Sequence, residues 1–382
     1  MFKLFRTAVL AASLLWSLSF SLPALAAQGD GNGPARPVCP GPAAPGDSHC
    51  YAWARPEAST APVGLAPAQM NAAYGFSASN TAGTGQTIAI VDAYDLPTAE
   101  NDLNVFSAQF GLPACTTANG CFRKVNQTGG TKYPRYNSGW GLEIALDIEW
   151  AHAIAPGAKI LLVEASSNSF SNLLAAEDYA AAHAGYVSNS WGGNESSGES
   201  AYDSHFSRSG VAFFVSSGDK GLGAQYPSAS PNVVSVGGTT LAFNPDGSLQ
   251  SETGWSGGGG GCSLYETAAL AQSGFSGYPQ VNCNGKRATP DVSLDADPNS
   301  GAAVYDSSNY YGQAGWYQVG GTSLSSPMWA GRAAASGAVV NAAYVYGSAI
   351  TYRDIVAGGN GALCLVGYDL CTGRGSWTGA TP

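Results

Sequence analysis

Ser323 lies in Val319-Gly320-Gly321-Thr322-Ser323-Leu324-Ser325-Ser326-Pro327, where an apolar, aromatic run (314–319) meets two glycines and then an Ala-rich segment. That order predicts a strand, a tight turn and a helix start, with Pro327 in the first helical turn. Free N–H groups and the positive end of the helix dipole favour an oxyanion at such a place, so Ser323 can serve as a nucleophile. The alternative is that it only caps the helix. Glu143 and Asp147 are four residues apart on a second predicted helix and so share a face, with Leu142, Ile144, Leu146, Ile148 and Trp150 around them. Two like charges placed so repel and are partly desolvated, so one holds a proton above the usual carboxyl range and the pair can do general acid/base work. An exposed acidic pair on an amphipathic helix is the bland alternative. Asp219, in Ser216-Ser217-Gly218-Asp219-Lys220-Gly221, reads as a turn aspartate. In a cleft that stays acidic, a protonated aspartate can also donate a hydrogen bond to a developing oxyanion.

The elements that must position these groups alternate. Residues 86–92 read as a first buried strand, 99–110 as a helix with apolar residues at Leu103, Phe106 and Phe110, 141–155 as the helix bearing the acid pair, and 159–163 as the next strand. Residues 173–184 follow as a helix, then strands at 186–193, 211–215 and 233–236. Strands alternating with helices predict an α/β fold, a doubly wound and mostly parallel sheet flanked by helices, with its chemistry at the carboxyl ends of the strands. Residues 257–261 are a flexible glycine loop and not a phosphate cradle, since no Gly-Lys-Ser/Thr follows.

Composition narrows the classes. The chain has 382 residues, 45% of them hydrophobic, enough for one large core. Lys3 and Arg6, an apolar run over 8–22 and Ala24-Leu25-Ala26 read as a secretory leader, residues 1–26; a transmembrane anchor is the alternative, for which the run is short and broken by Ser13, Ser17, Ser19, Ser21 and Pro23, and no later stretch is long and apolar enough to span a bilayer. We therefore expect a secreted protein, extracellular or periplasmic. The formal charge is −10, and −12 without Lys3 and Arg6, with 26 acidic against 14 basic residues. That disfavours nucleic acid as a partner. Only 11% of residues are charged. Few Lys and Arg would keep self-repulsion small in an acidic medium, although an ordinary acidic secreted protein has the same composition. The eight cysteines fall into sequence-close pairs, Cys39 with Cys50, Cys115 with Cys121, Cys262 with Cys283 and Cys364 with Cys371, which predicts four local disulfides. A zinc site is the alternative, with no Cys-x-x-Cys or His cluster behind it. Residues 27–67 are rich in Pro, Gly and Ala and read as a linker or short pro-segment before a catalytic region over 68–382.

With these residues in place the chain resembles the sedolisins, the serine-carboxyl peptidases, from about Leu65 to Pro382. The matching stretches are residues 86–92, the Glu-x-x-x-Asp of 141–156, Ser188-Asn189-Ser190-Trp191-Gly192, 216–219, 290–293 with 296–298, 321–327, and Tyr368-Asp369 with Thr372-Gly373. The likeness is greatest to bacterial secreted members with a short N-terminal region. It implies a subtilisin-like fold and an acid-acting endopeptidase in which Ser323 is the nucleophile, Glu143 the general base and then acid, and Asp147 its orienting partner. Asp219 and the Ser323 N–H would form the oxyanion hole. It implies a protein or peptide substrate met by Ser190, Trp191 and Gly192, where a strand edge can pair with an extended peptide, Trp191 being equally suited to a core. It also implies one calcium site near the carboxyl terminus, with carboxylates Asp354 and Asp369 and carbonyls of Ile355, Leu365 and Gly367. Leu365 stands where that family usually has glycine, and the two aspartates could instead cap turns. A subtilisin proper would need a His-Gly-Thr-His segment, and none of His49, His152, His183 or His205 begins one. Asp92 then reads as a turn cap or as an outer carboxylate extending the network to Asp147. An inactive secreted binding protein on the same fold is the remaining alternative in function.

Overall fold

The computed structural model describes residues 33–41, 43–347 and 350–379; the expected leader lies outside them. Strands buried on both faces must be nearly continuous apolar runs. The chain supplies them at β1 (Thr87–Ala93) and, after the partly exposed edge strand β2 (Phe122–Asn126, which carries Arg123 and Lys124 and no such run), at β3 (Lys159–Ala165), β4 (Tyr186–Asn189), β5 (Ala212–Ser216) and β6 (Val234–Phe243). They lie in the order β2-β3-β1-β4-β5-β6, all parallel, with β1 central between β3 (Thr87 opposite Lys159) and β4 (Ile88 opposite Tyr186). β7 (Leu249–Gly254) runs antiparallel along β6, and β8 (Val292–Asp295) joins β6 in parallel at Val236 opposite Val292. The helices are α1 (Ala99–Phe110), α2 (Ser138–Ile154), α3 (Phe170–His183) and α4 (Thr322–Ser336). This is the doubly wound, mostly parallel sheet expected, and it sets the carboxyl ends of β1, β4 and β5 side by side.

α2 is buried on every side from Gly139 to Ile154, which disposes of the exposed amphipathic alternative for its acid pair. The Asn137 side chain starts the helix by accepting from the N–H groups of Gly139 and Trp140, an N-cap of about 1 kcal/mol. α4 packs against it, and Gly331 allows the approach: a Cβ there would stand 2.9 Å from Ile154 Cβ.

The strand β2 and a helix over Pro67–Tyr74 were not expected, and three further regions differ from the expectation. The strand leading to Ser323, β10 (Gln313–Gly320), belongs to a second, antiparallel sheet beside β9 (Ala302–Tyr310), whose pattern is broken by Asp306, Ser307, Ser308 and Asn309 and was not marked as a strand. The single strand expected over 186–193 is two: β4 ends at Asn189, and Trp191–Asn194 turns into a small antiparallel sheet with His49–Cys50 and Gln225–Tyr226. Residues 33–67 are bound into the body, Arg36–Pro37 pairing with Trp53–Ala54, which in turn pairs with β10.

The cysteines pair as their proximity predicts: Cys39–Cys50, Cys115–Cys121, Cys262–Cys283 and Cys364–Cys371. His152 does stand beside the second pair, but those sulfurs are bonded to each other and its ring meets the Pro113 carbonyl, which removes the zinc alternative there. Among the described residues no helix is long and apolar enough to cross a membrane.

Candidate active site

Ser323 is the second residue of α4 and fully buried, and the N-cap position belongs to Gly321. Ser323 is therefore not the cap, and its N–H is one of the helix's four free donors. Its hydroxyl donates to the Ser190 carbonyl at 3.4 Å. Pro327 sits in the second turn, not the first. Lacking an N–H, it leaves the Ser323 carbonyl without its intrahelical partner, and the Ser190 hydroxyl approaches that oxygen at 3.4 Å instead. The break between β4 and the Trp191 strand thus puts Ser190 between the serine and the acid pair, its hydroxyl also donating to Asp147 Oδ1 at 2.9 Å.

Glu143 and Asp147 hang from one face of α2 with no solvent exposure. Glu143 Oε2 accepts the Ala52 N–H at 2.9 Å, while Oε1 has no hydrogen-bond partner among the described residues. Burial, and then the charge of Asp147, raise the Glu143 pKa well above the carboxyl range; the Ser323 hydroxyl and the Ala52 N–H pull it partly back. Asp147 is raised by burial and then by the charge of Asp92, with the Ser190 hydroxyl opposing. Asp92 does not cap a turn. It lies within β1, fully buried, both oxygens without hydrogen-bond partners among the described residues, its pKa raised by burial, then by Glu143 and Glu164. Its place is in a line of carboxyls behind Asp147.

Asp219 follows β5 by three residues and reaches over to the start of α4. Its Oδ1 accepts the Thr322 N–H at 2.9 Å and the Thr322 hydroxyl at 2.7 Å, so this carboxyl caps α4 from outside the helix. Oδ2 has no hydrogen-bond partner among the described residues. Burial pushes its pKa up to about 7 against the Thr322 hydrogen bonds, so below that pH the carboxyl carries a proton at the mouth of α4.

Ser190, Trp191 and Gly192 line the same cleft through their backbone. The Trp191 ring is in the core, donating to the Val91 carbonyl at 2.9 Å and packed edge-on to Phe170, so its backbone alone faces the cleft. The edge expected to be open is covered by the chain itself, His49 pairing with Gly192 and Cys50 with Trp191. Tyr51, Ala52 and Trp53 therefore belong to the site, and sequence reading passed them over inside a Pro/Gly/Ala-rich segment. The apolar run Cys50-Tyr51-Ala52-Trp53-Ala54 was the available signal. Gln225 was likewise passed over, and its Oε1 accepts the buried Tyr51 hydroxyl.

Asp354 and Asp369 come together far along the chain, close enough that the charge of Asp354 adds to the effect of burial in raising Asp369. Both cap turns: Asp354 Oδ2 accepts the Gly367 N–H at 2.8 Å, and Asp369 accepts those of Leu365 at 2.7 Å and Thr372 at 2.8 Å. An N–H uses one lone pair of an oxygen that has two. The carbonyls of Ile355, Leu365 and Gly367 take part in no hydrogen bond among the described residues. Two carboxylates and three free carbonyls are the donor set of a hard cation, so the residues fit calcium.

Known proteins resemble this chain in sequence and in fold. The model of the subtilase family matches residues 134–355. Kumamolisin of Bacillus sp. (strain MN-32) is 30% identical over 364 residues, 83% of this chain and 63% of its own. Sedolisin of Pseudomonas sp. (strain 101) is 36% identical over 206 residues, 44% of this chain and 33% of its own. The chain thus spans a third to somewhat under two thirds of the length of these curated relatives. Among solved structures, Pseudomonas sedolisin, a serine-carboxyl proteinase complexed with two molecules of pseudo-iodotyrostatin, superposes with a TM-score of 0.69 at 29% identity, over 83% of this chain and 96% of that one. On these likenesses, and with a subtilisin-like sheet beneath a helix that carries Ser323 beside two buried acids, the chain belongs to the subtilase family and to the sedolisins.

Proposed function

We propose that the protein is a secreted, acid-acting serine-carboxyl endopeptidase that hydrolyses protein or peptide substrates through an acyl-enzyme on Ser323. The observation that carries this reading is the burial of Glu143 and Asp147 beside the Ser323 hydroxyl, with both pKa values raised. Glu143 takes the hydroxyl proton as Ser323 attacks the scissile carbonyl, then returns it to the leaving amine. Asp147 holds Glu143 in place and raises its proton affinity. The Ser323 N–H and the protonated Asp219 face the developing oxyanion. The extended substrate pairs along Ser190–Gly192. Calcium, held by Asp354, Asp369 and the carbonyls of Ile355, Leu365 and Gly367, has a structural part and lies outside this chemistry.

The pH range follows from the groups themselves. Glu143 cycles between its two forms, and Asp219 must keep its proton, which it loses as pH rises through about 7. Casein digestion by the purified protein is expected at about pH 4 and not at about pH 8. Ser323→Ala is expected to lower kcat by at least about 10⁴-fold. Equal digestion by wild type and Ser323→Ala would remove Ser323 from the mechanism, and best activity at about pH 8 would remove the acid pair from it.

A further inference from the structure

The segment covering the cleft is seated as a substrate would be. His49 and Cys50 run antiparallel to Gly192 and Trp191, and on the other side Trp53 and Ala54 run antiparallel to Gly320 and Val319. Between these two short ladders lie two residues, Tyr51 and Ala52, joined by the peptide bond at the centre of the segment. The Tyr51 N–H donates to the Ser190 carbonyl at 3.2 Å, the same oxygen that accepts the Ser323 hydroxyl. The Ala52 N–H donates to Glu143 Oε2 at 2.9 Å. The Tyr51 carbonyl lies against Gly321: a Cβ built there would be 1.8 Å from Tyr51 O and 2.8 Å from Asp219 Oδ2, so the carbonyl and the partnerless carboxyl oxygen share one small space. Nucleophile, amine-side acid and oxygen-side donor thus surround a single bond. The Tyr51 side chain fills a closed pocket, its hydroxyl on Gln225 Oε1 and its ring edge against Gly192, where a Cβ would stand 2.5 Å from the hydroxyl oxygen.

We propose that Tyr51–Ala52 is a self-processing site, cut within the molecule by its own Ser323, so that the working chain begins at Ala52. This rests on the peptidase reading above. Ser323 Oγ forms an ester to the Tyr51 carbonyl carbon as Glu143 takes its proton. The Tyr51–Ala52 C–N bond breaks as Glu143 passes that proton to the Ala52 nitrogen, which leaves as the new N-terminal amine. Water then hydrolyses the ester, freeing the Tyr51 carboxylate and restoring Ser323. The Cys39–Cys50 disulfide lies wholly on the departing side, so no covalent bond retains that side once the cut is made. Before the cut, the segment blocks the Ser190–Gly192 edge against other peptides.

The test is N-terminal sequencing of the full chain before and after incubation at about pH 4, alongside casein digestion. The expected product begins Ala52-Trp53-Ala54-Arg55 and forms at a rate unchanged by dilution, with casein digestion rising as it forms. Ser323→Ala is expected to stay whole, and Tyr51→Gly to be cut at least about tenfold more slowly as the pocket contact is lost. Wild type that digests casein with Tyr51–Ala52 intact, or that is cut at another bond of the segment, overturns this inference and leaves the peptidase reading standing. A rate that falls on dilution overturns the intramolecular step. A chain that cuts neither its own bond nor casein overturns both.

Discussion

A single buried oxygen, Asp219 Oδ2, divides the two ways this site could be run. If Asp219 acts as a neutral donor, an amide in its place supplies the same hydrogen bond at every pH, while its carbonyl oxygen can still accept from Thr322. Asp219→Asn is therefore expected to keep most of the activity at acid pH and to lose the decline through about 7 that the carboxyl imposes, leaving Glu143 to set the upper limit. Asp219→Ala is expected to lower kcat about 10²–10³-fold. A pH–rate profile of both variants decides the matter, and an Asp219→Asn profile identical in shape to that of wild type would rule out titration of Asp219 as the limit. The spacing of Glu143 and Asp147 was legible because four residues on a helix is a geometric statement, and the apolar residues between them already predicted their burial. For Asp92 the sequence left two readings, turn cap and outer carboxylate, because an acid at the end of an apolar strand looks like a turn residue, and its position within β1 fits the second. Its true setting depends on Glu143 and Glu164, which the fold brings in from α2 and β3.

At the scale of elements, the turn between β10 and α4 has no room for a side chain. Gly321 has φ +92° and ψ 161°, a region open to glycine, and its Cα faces the Tyr51 carbonyl. Gly321→Ala is expected to lower stability by roughly 1–3 kcal/mol and to abolish activity, read by thermal unfolding and by casein digestion. A variant as stable and active as wild type would show that this turn tolerates a different shape. The inner parallel strands were readable from their apolar runs, whereas β2, with Arg123 and Lys124, and the four-residue β8 were not, and α1 falls where its periodicity predicts. The elements that escaped are those whose pattern is set by their partners. β9 alternates poorly because its ladder is interrupted after Asp306, whose Oδ1 accepts the Ser308 N–H, while Ser307 donates to Asp102 of α1 and the Ser308 carbonyl accepts from Tyr136, and residues 49–54 have no periodicity because both flanking ladders are only two residues long. Composition could describe residues 27–67 as loose, but not show where they bind.

Across the whole molecule, many carboxyls are held above their ordinary pKa. Asp306 is raised to about 6, Glu266 to about 7, Glu199 to about 8 and Glu164 to about 9, each chiefly by burial. A carboxyl whose folded pKa is raised contributes stability that is fully present below its unfolded value, near 4, and is lost as pH rises through the folded value. The melting temperature is thus expected to be highest near pH 4 and to fall steadily towards about pH 9, the reverse of ordinary acid unfolding. A maximum at neutral pH would show that these groups relax or find partners as they ionise. Calcium adds a separate test at this scale: chelation with EGTA is expected to lower the melting temperature by a few degrees, and Asp369→Asn to remove that response. No difference between chelated and calcium-loaded wild type would leave Asp354 and Asp369 as turn caps alone.

The disulfides span only 11, 6, 21 and 7 residues, so they close rims and never join one end of the sheet to the other. Exchange begins with the attack of a thiolate, and burial of Cys50, Cys115, Cys283, Cys364 and Cys371 already limits its access. In a sour medium near pH 4 only about one thiol in 10⁴ carries that charge. The rings then stay shut by a kinetic arrest that the surroundings supply, and should first begin to scramble when the protein is carried into alkali.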